Sequence, residues 1–172
     1  MMRWLILLLF CSLAPVAAAQ TKVVEIDETA INIEVISPKV AADAKTPMAR
    51  LLWLPSEYGV LQQEKNIAEK LAEQGLESWF VDFYEAMFLS PTPSAVDKIN
   101  PDWTAQIIAL AQQNDRYANE HIPLWIIAPN KAAQTAVRAL QPILSQPQNR
   151  IGLILINPNS YLQTPSPGLV AD

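Results

Sequence analysis

The spacing of apolar positions changes along this chain and divides it into a leader, a hairpin and an alternating series of strands and helices. After residue 20, "KVVEI" (22–26) and "AINIEVIS" (30–37) flank the turn-like "DET". In the second run Ile31, Ile33 and Val35 alternate with Asn32 and Glu34, the period of a strand with one buried face. The two runs predict an antiparallel hairpin. "PKVAADAKTPM" (38–48) breaks the alternation and reads as a surface connection.

From Arg50 the pattern changes. "RLLWL" (50–54) is short and continuously apolar beyond its first residue, as expected of a strand covered on both faces. "PSEYGV" (55–60) reads as a loop. "LQQEKNIAEKLAEQG" (61–75) reads as a helix whose stripe is Leu61, Ile67, Ala68, Leu71 and Ala72, with Gly75 as its stop. "ESWFVD" (77–82) is the next strand, and "FYEAMFLSPTPSAVDKIN" (83–100) a long Pro-containing excursion. Asn100-Pro101 pairs a side-chain cap with a proline suited to the first helical turn. Trp103, Ile107, Leu110 and Ala111 mark the buried face of that helix. "IPLWIIA" (122–128), a turn at 129–131, a helix over "KAAQTAVRALQPIL" (131–144) and a strand "IGLILIN" (151–157) follow, and the Pro-rich end is expected to be irregular.

The order β-β-β-α-β-α-β-α-β predicts an α/β fold of three layers: a mostly parallel sheet with an antiparallel N-terminal hairpin and helices on both faces. Ligands of such sheets sit at the carboxyl ends of the strands. That puts loops 55–60, 83–99, 129–131 and 158–168 on one functional face.

Residues 1–19 change the picture of where the chain acts. Arg3, the apolar run Trp4–Leu13 and Ala17-x-Ala19 fit a signal peptide, so mature residues 20–172 form a single exported domain, periplasmic or secreted. The apolar run falls short of the about 20 residues that span a bilayer, so no stable membrane span is expected after cleavage. Phe10 is bulky where a lipoprotein site before Cys11 needs a small residue. Cleavage removes the only cysteine and one of 12 basic residues against 17 acidic ones, making the mature chain one unit more negative than −5. No disulfide is then possible, and the acidic balance offers no electrostatic footprint for nucleic acid. No metal spacing, phosphate loop or glycine fingerprint occurs, so no cofactor or metal is expected.

The loop "LPSEYG" after an apolar strand, and the run "LAEQGLESWFVDF" with Asp82 after its strand, resemble the α/β-hydrolase fold superfamily over about residues 22–160. The resemblance implies an oxyanion-hole loop at Ser56 and Glu57 and a nucleophile elbow, G-x-S-x-G, at the strand–turn–helix "IIAPNKAAQ" (126–134). On this chain the first glycine falls on Ala128, the serine on Asn130 and the last glycine on Ala132, with Pro129 and Lys131 between and Ala133 beyond. The small residues persist in kind, but the serine does not. Asparagine tolerates positive φ and so can keep the elbow's shape, but its amide is no nucleophile. A plainer reading makes Asn130 the cap of the following helix.

The acid and histidine of a triad are also missing. His121, the only histidine, precedes the elbow, against the family order, and reads as a surface residue. The chain stops after its sixth core strand, so the expected fold is a truncated α/β-hydrolase-like domain lacking the C-terminal strands. Such an end leaves an exposed sheet edge, which points to a fragment or a partnered chain. Ser56 is a weak candidate nucleophile with no visible basic partner, and with Glu57 it otherwise reads as loop polarity. Lys131 reads as a solvated lysine, with anion binding at the helix start left open. Lys65 with Glu69, and Lys70 with Glu73, read as a solvated face. Trp53, Trp79, Trp103 and Trp125 read mainly as core.

These readings predict an exported α/β-hydrolase-like protein that is not a serine hydrolase as it stands: a binding or scaffolding module for an unknown small molecule or protein. A fragment of a secreted esterase, lipase or peptidase with a diverged site is the enzymatic alternative. A generic Rossmann-like binding domain is the third.

Overall fold

The computed structural model describes residues 20–39, 46–113, 122–143 and 151–159. The leader, His121 and the segment 160–172 lie outside the described residues. The hairpin comprises β1 (Gln20–Ile26) and β2 (Thr29–Ile36), paired antiparallel from Gln20 opposite Val35 to Ile26 opposite Thr29. Its turn is made by Asp27 and Glu28, both at positive φ. The alternation expected of β2 is observed, with Ile31, Ile33 and Val35 buried.

The remaining elements are β3 (Ala49–Trp53), α1 (Gln62–Glu73), β4 (Leu76–Asp82), α2 (Phe83–Ala86), α3 (Pro93–Val96), α4 (Pro101–Gln112), β5 (Leu124–Pro129), α5 (Ala132–Leu140) and β6 (Ile151–Ile156). The strands form one sheet in the order β1-β2-β4-β3-β5-β6. β2 runs antiparallel to β4, and the pairs β3–β4, β3–β5 and β5–β6 are parallel. The hairpin leads into the parallel sheet, which sets aside the generic Rossmann-like reading. The Pro-containing excursion holds two short helices, each capped by a side chain: Asp82 accepts from the Glu85 N–H and Thr92 from that of Ala95.

Helices cover both faces. α4 and α5 pack Ile107, Ile108, Ala111, Ala132, Ala136 and Leu140 against Leu52, Leu124, Ile126 and Ala128. On the other face α1 packs Ala68 and Ala72 against Leu51, Trp53, Phe80 and Ile127. Only small residues of α1 are buried, and Ile67, expected in the stripe, is exposed. Close approach to the sheet selects alanine, and the longer side chains stay at the rim. Trp53 stacks on Phe80 with centroids 5.2 Å apart. Lys65 pairs with Glu34 of β2 rather than along its own helix.

At the amino ends of β3 and β4, Arg50 and Glu77 are direct cross-strand neighbours and both are buried. Arg50 Nε donates to Glu77 Oε1 at 2.6 Å, and its Nη1 donates to the Ala111 and Gln113 carbonyls at the end of α4. The Trp79 indole also donates to Glu77 Oε1, at 2.9 Å. The Trp79 ring lies 4.4 Å from the Arg50 guanidinium. This network satisfies a buried charge with an opposite charge and the free carbonyls of a helix end.

Candidate functional site

The site is the turn between β5 and α5. β5 must pass directly into α5, and Ala128, Ala132 and Ala133 are all buried there. Their small side chains allow strand and helix to meet in two residues. Asn130 takes φ +49°, a left-handed conformation open to asparagine at little cost. Its N–H donates to the Ile156 carbonyl at 2.8 Å, extending the β5–β6 pairing by one residue, and its carbonyl accepts from the Asn159 N–H at 3.0 Å.

The Asn130 side chain does not cap α5. Its Oδ1 accepts from Asn157 Nδ2 at 3.1 Å, and Asn157 itself lies at φ +46°. No side chain of the turn caps the helix. The cap comes from another loop: the Lys131 N–H donates to Glu57 Oε2 at 3.0 Å. Glu57 is 6 % exposed, so its carboxylate is desolvated against the amino end of α5. That end carries a partial positive charge and unpaired N–H groups. In the nucleophile-elbow geometry the N–H of the residue after the nucleophile is an oxyanion donor. The resemblance implies that donor at Lys131, whose N–H here is taken by the chain's own Glu57 carboxylate.

Lys131 is 8 % exposed rather than solvated. Burial is possible because its Nζ lies 3.3 Å from the Pro93 carbonyl and 3.5 Å from Asp97 Oδ2, both on the excursion. Ser56 is fully buried, and its Oγ accepts from the Tyr58 N–H at 3.2 Å and donates to the Gly59 carbonyl at 3.4 Å. Its hydroxyl is thus engaged within its own loop. Tyr84 Oη donates to the Ser56 carbonyl at 2.7 Å. Burial, then the charges of Glu57, Asp82 and Asp97, push the Tyr84 phenol well above its ordinary value, so it stays a neutral donor. Gly59 completes the contact: at φ +75°, a Cβ there would lie 3.1 Å from Pro91 Cγ.

The structure places the Ser56–Glu57 loop against the Asn130–Lys131 turn through the Lys131 N–H to Glu57 bond, and Tyr84, Pro93 and Asp97 of the excursion contact both. Tyr84, Asp97 and Asn157 complete the site and were not singled out from sequence. The "NPN" at 157–159 is a turn signal next to a strand end, but nothing local ties it to Asn130. Among the described residues no group of three histidine, cysteine or acidic side chains is placed to hold a metal. No described helix is long and apolar enough to cross a membrane.

The chain superposes on a soluble variant of monoglyceride lipase from Saccharomyces cerevisiae with a TM-score of 0.58 at 16% identity, over 85% of this chain and 46% of the lipase. It superposes on a fungal esterase from Rhizomucor miehei with a TM-score of 0.59 at 13% identity, over 86% of this chain and 46% of the esterase. A dienelactone hydrolase-like promiscuous phosphotriesterase from metagenomic libraries matches with a TM-score of 0.55 at 13% identity, over 82% of this chain and 59% of that one. The chain thus has an α/β-hydrolase-like fold and spans about half the length of these structural neighbours. No family profile and no curated protein sequence matches it.

Proposed function

We propose that the chain is an exported binding or scaffolding module that keeps the α/β-hydrolase elbow as a closed structural joint and does not use it for hydrolysis. The observation that carries this reading is the hydrogen bond from the Lys131 N–H to buried Glu57. A carboxylate in that position competes with any substrate carbonyl oxygen for the donor and repels the negative charge that an acyl-transfer transition state develops. Asn130 at the nucleophile position and the internally bonded Ser56 hydroxyl agree with it. The leader pattern supplies the export part of the reading. The test is incubation of the purified chain with short p-nitrophenyl esters and a fluorophosphonate probe. Neither turnover nor labelling is expected, and labelling of any serine overturns the reading.

A second reading, a fragment of a secreted serine hydrolase with a diverged site, is favoured by one observation: the chain covers only 46% of the lipase and esterase it superposes on. It is tested by reading the coding sequence downstream of Asp172. An in-frame continuation that supplies an acid and a histidine after later strands supports the fragment, and an immediate stop codon rejects it.

A further inference from the structure

We propose that a cleft at the amino ends of β3 and β4 binds a free α-amino acid, its carboxylate on Arg50 and its ammonium on Glu77. The cleft holds about 360 Å³, and every residue that lines it is described. That volume falls within the ~300–1,000 Å³ of small-molecule sites. It lies at the opposite end of the sheet from the elbow, so the proposal does not rest on the reading of that turn.

Cross-strand register builds the cleft on one face of the sheet. Gln20 lies opposite Val35, Val35 opposite Trp79, and Arg50 opposite Glu77. Lys22, two residues on from Gln20, shares their face, and Gln113 joins the lining where α4 stops.

The buried ion pair in its wall has hydrogen-bonding capacity to spare. Arginine carries five N–H donors and a carboxylate two acceptor oxygens. Arg50 uses Nε on Glu77 and Nη1 on the Ala111 and Gln113 carbonyls. Glu77 accepts twice, from Arg50 and from Trp79, both times on Oε1. Among the described residues Arg50 Nη2 and Glu77 Oε2 enter no hydrogen bond, although the two residues are only 5 % and 1 % exposed. The described side-chain atoms that are both sealed from solvent and unpaired are Trp53 Nε1 and Ser78 Oγ. Nη2 and Oε2 are not among them, so the spare donor and acceptor face the cleft. A ligand that pairs with both relieves two poorly solvated polar groups at once.

The two spare atoms belong to adjoining groups, since Arg50 Nε and Glu77 Oε1 are 2.6 Å apart. A ligand must therefore present an acceptor and a donor side by side. A simple anion meets the Glu77 charge, and a simple cation meets Arg50 and Lys22. An α-amino acid satisfies both, because its carboxylate and ammonium are borne on one carbon. With Lys22 the lining carries two cations to one anion, which draws the carboxylate in. Arg50 and Lys22 lie 4.4 and 5.1 Å from the centroid of the Trp79 ring, which holds both cations in place. Val35 and Trp79 supply apolar surface for the ligand's side chain.

The test is isothermal titration of the purified chain with L-leucine, L-phenylalanine and L-glutamine. Saturable one-to-one binding of at least one is expected. Its N-acetyl derivative, which lacks the ammonium, and its amide, which lacks the carboxylate, are expected not to bind. In ¹⁵N NMR the Trp79 indole signal, assigned with Trp79→Phe, is expected to shift on binding, while that of Trp53 on the other face stays. Glu77→Gln is expected to weaken binding about tenfold or more, whereas Lys70→Ala, exposed on α1 across the sheet, leaves it unchanged. If Glu77→Gln fails to fold by CD, Lys22→Met decides, and a weakened affinity is expected. No binding of any of the three amino acids, equal binding of a blocked derivative, an unmoved Trp79 indole, or an affinity unchanged by Lys22→Met overturns the proposal.

Discussion

Removing the Glu57 carboxylate is the sharpest perturbation of the elbow. Glu57→Ala leaves the Lys131 N–H without its acceptor in a buried setting. Loss of a hydrogen bond to a charged group costs about 1.5–3 kcal/mol, and the helix terminus loses a favourable charge worth about 0.3–1 kcal/mol. Those overlap, so the expected destabilisation is about 2–3 kcal/mol. For a domain of this size each kcal/mol moves Tm by about 2–4 °C, giving a drop of about 4–12 °C. Glu57→Gln keeps an acceptor oxygen and loses only the charge, so its cost is about 1 kcal/mol. Thermal and urea unfolding of the three chains measure both differences. Because the contact is buried, the Glu57→Ala loss is expected to change little between low and moderate salt. Equal losses for Ala and Gln, or a loss that vanishes with salt, would show that the carboxylate is solvated and that the elbow donor is not closed by it.

Asn130→Gly is expected to be within about 0.5 kcal/mol of neutral, since glycine also accepts φ +49°, whereas Asn130→Ala costs about 1–2 kcal/mol; urea unfolding separates them. Asn130→Ser is expected to gain no fluorophosphonate labelling, alone or with Glu57→Ala, because no described residue is placed as its base. Arg50→Ala strands the Glu77 carboxylate in the core and costs about 3–5 kcal/mol, while Arg50→Met with Glu77→Leu recovers most of it; a double-mutant cycle checks both. Tyr84 is expected to titrate above the ordinary tyrosine range in a spectrophotometric titration. Its folded value is raised above the ordinary 10.0, so its contribution to stability is complete below about pH 10 and is lost as pH rises beyond that. Tyr84→Phe should flatten that alkaline loss in Tm measurements.

The order of elements, the hairpin and the layer assignment are determined by periodicity, because each strand and helix must bury its own apolar face wherever it lands. The elbow's shape is equally local: Ala128, Ala132 and Ala133 permit close approach, and Asn130 accepts the left-handed turn. Partnerships across the chain are not local. Glu57 reaches Lys131 across 74 positions, and Lys131 reaches Asp97 across 34. Each reads as an ordinary surface charge until the sheet brings the loops together and excludes water. Arg50 looked like the polar start of a strand, and only the β3–β4 register placed it on Glu77. Trp125, in a run that reads as core, is half-exposed, because among the described residues α1 packs on Leu51, Trp53, Phe80 and Ile127 of that face and not on Trp125. The exposure of a side chain, like the closing of a site, is decided by what neighbours a residue in space, and a one-dimensional pattern of apolar positions carries only what neighbours it along the chain.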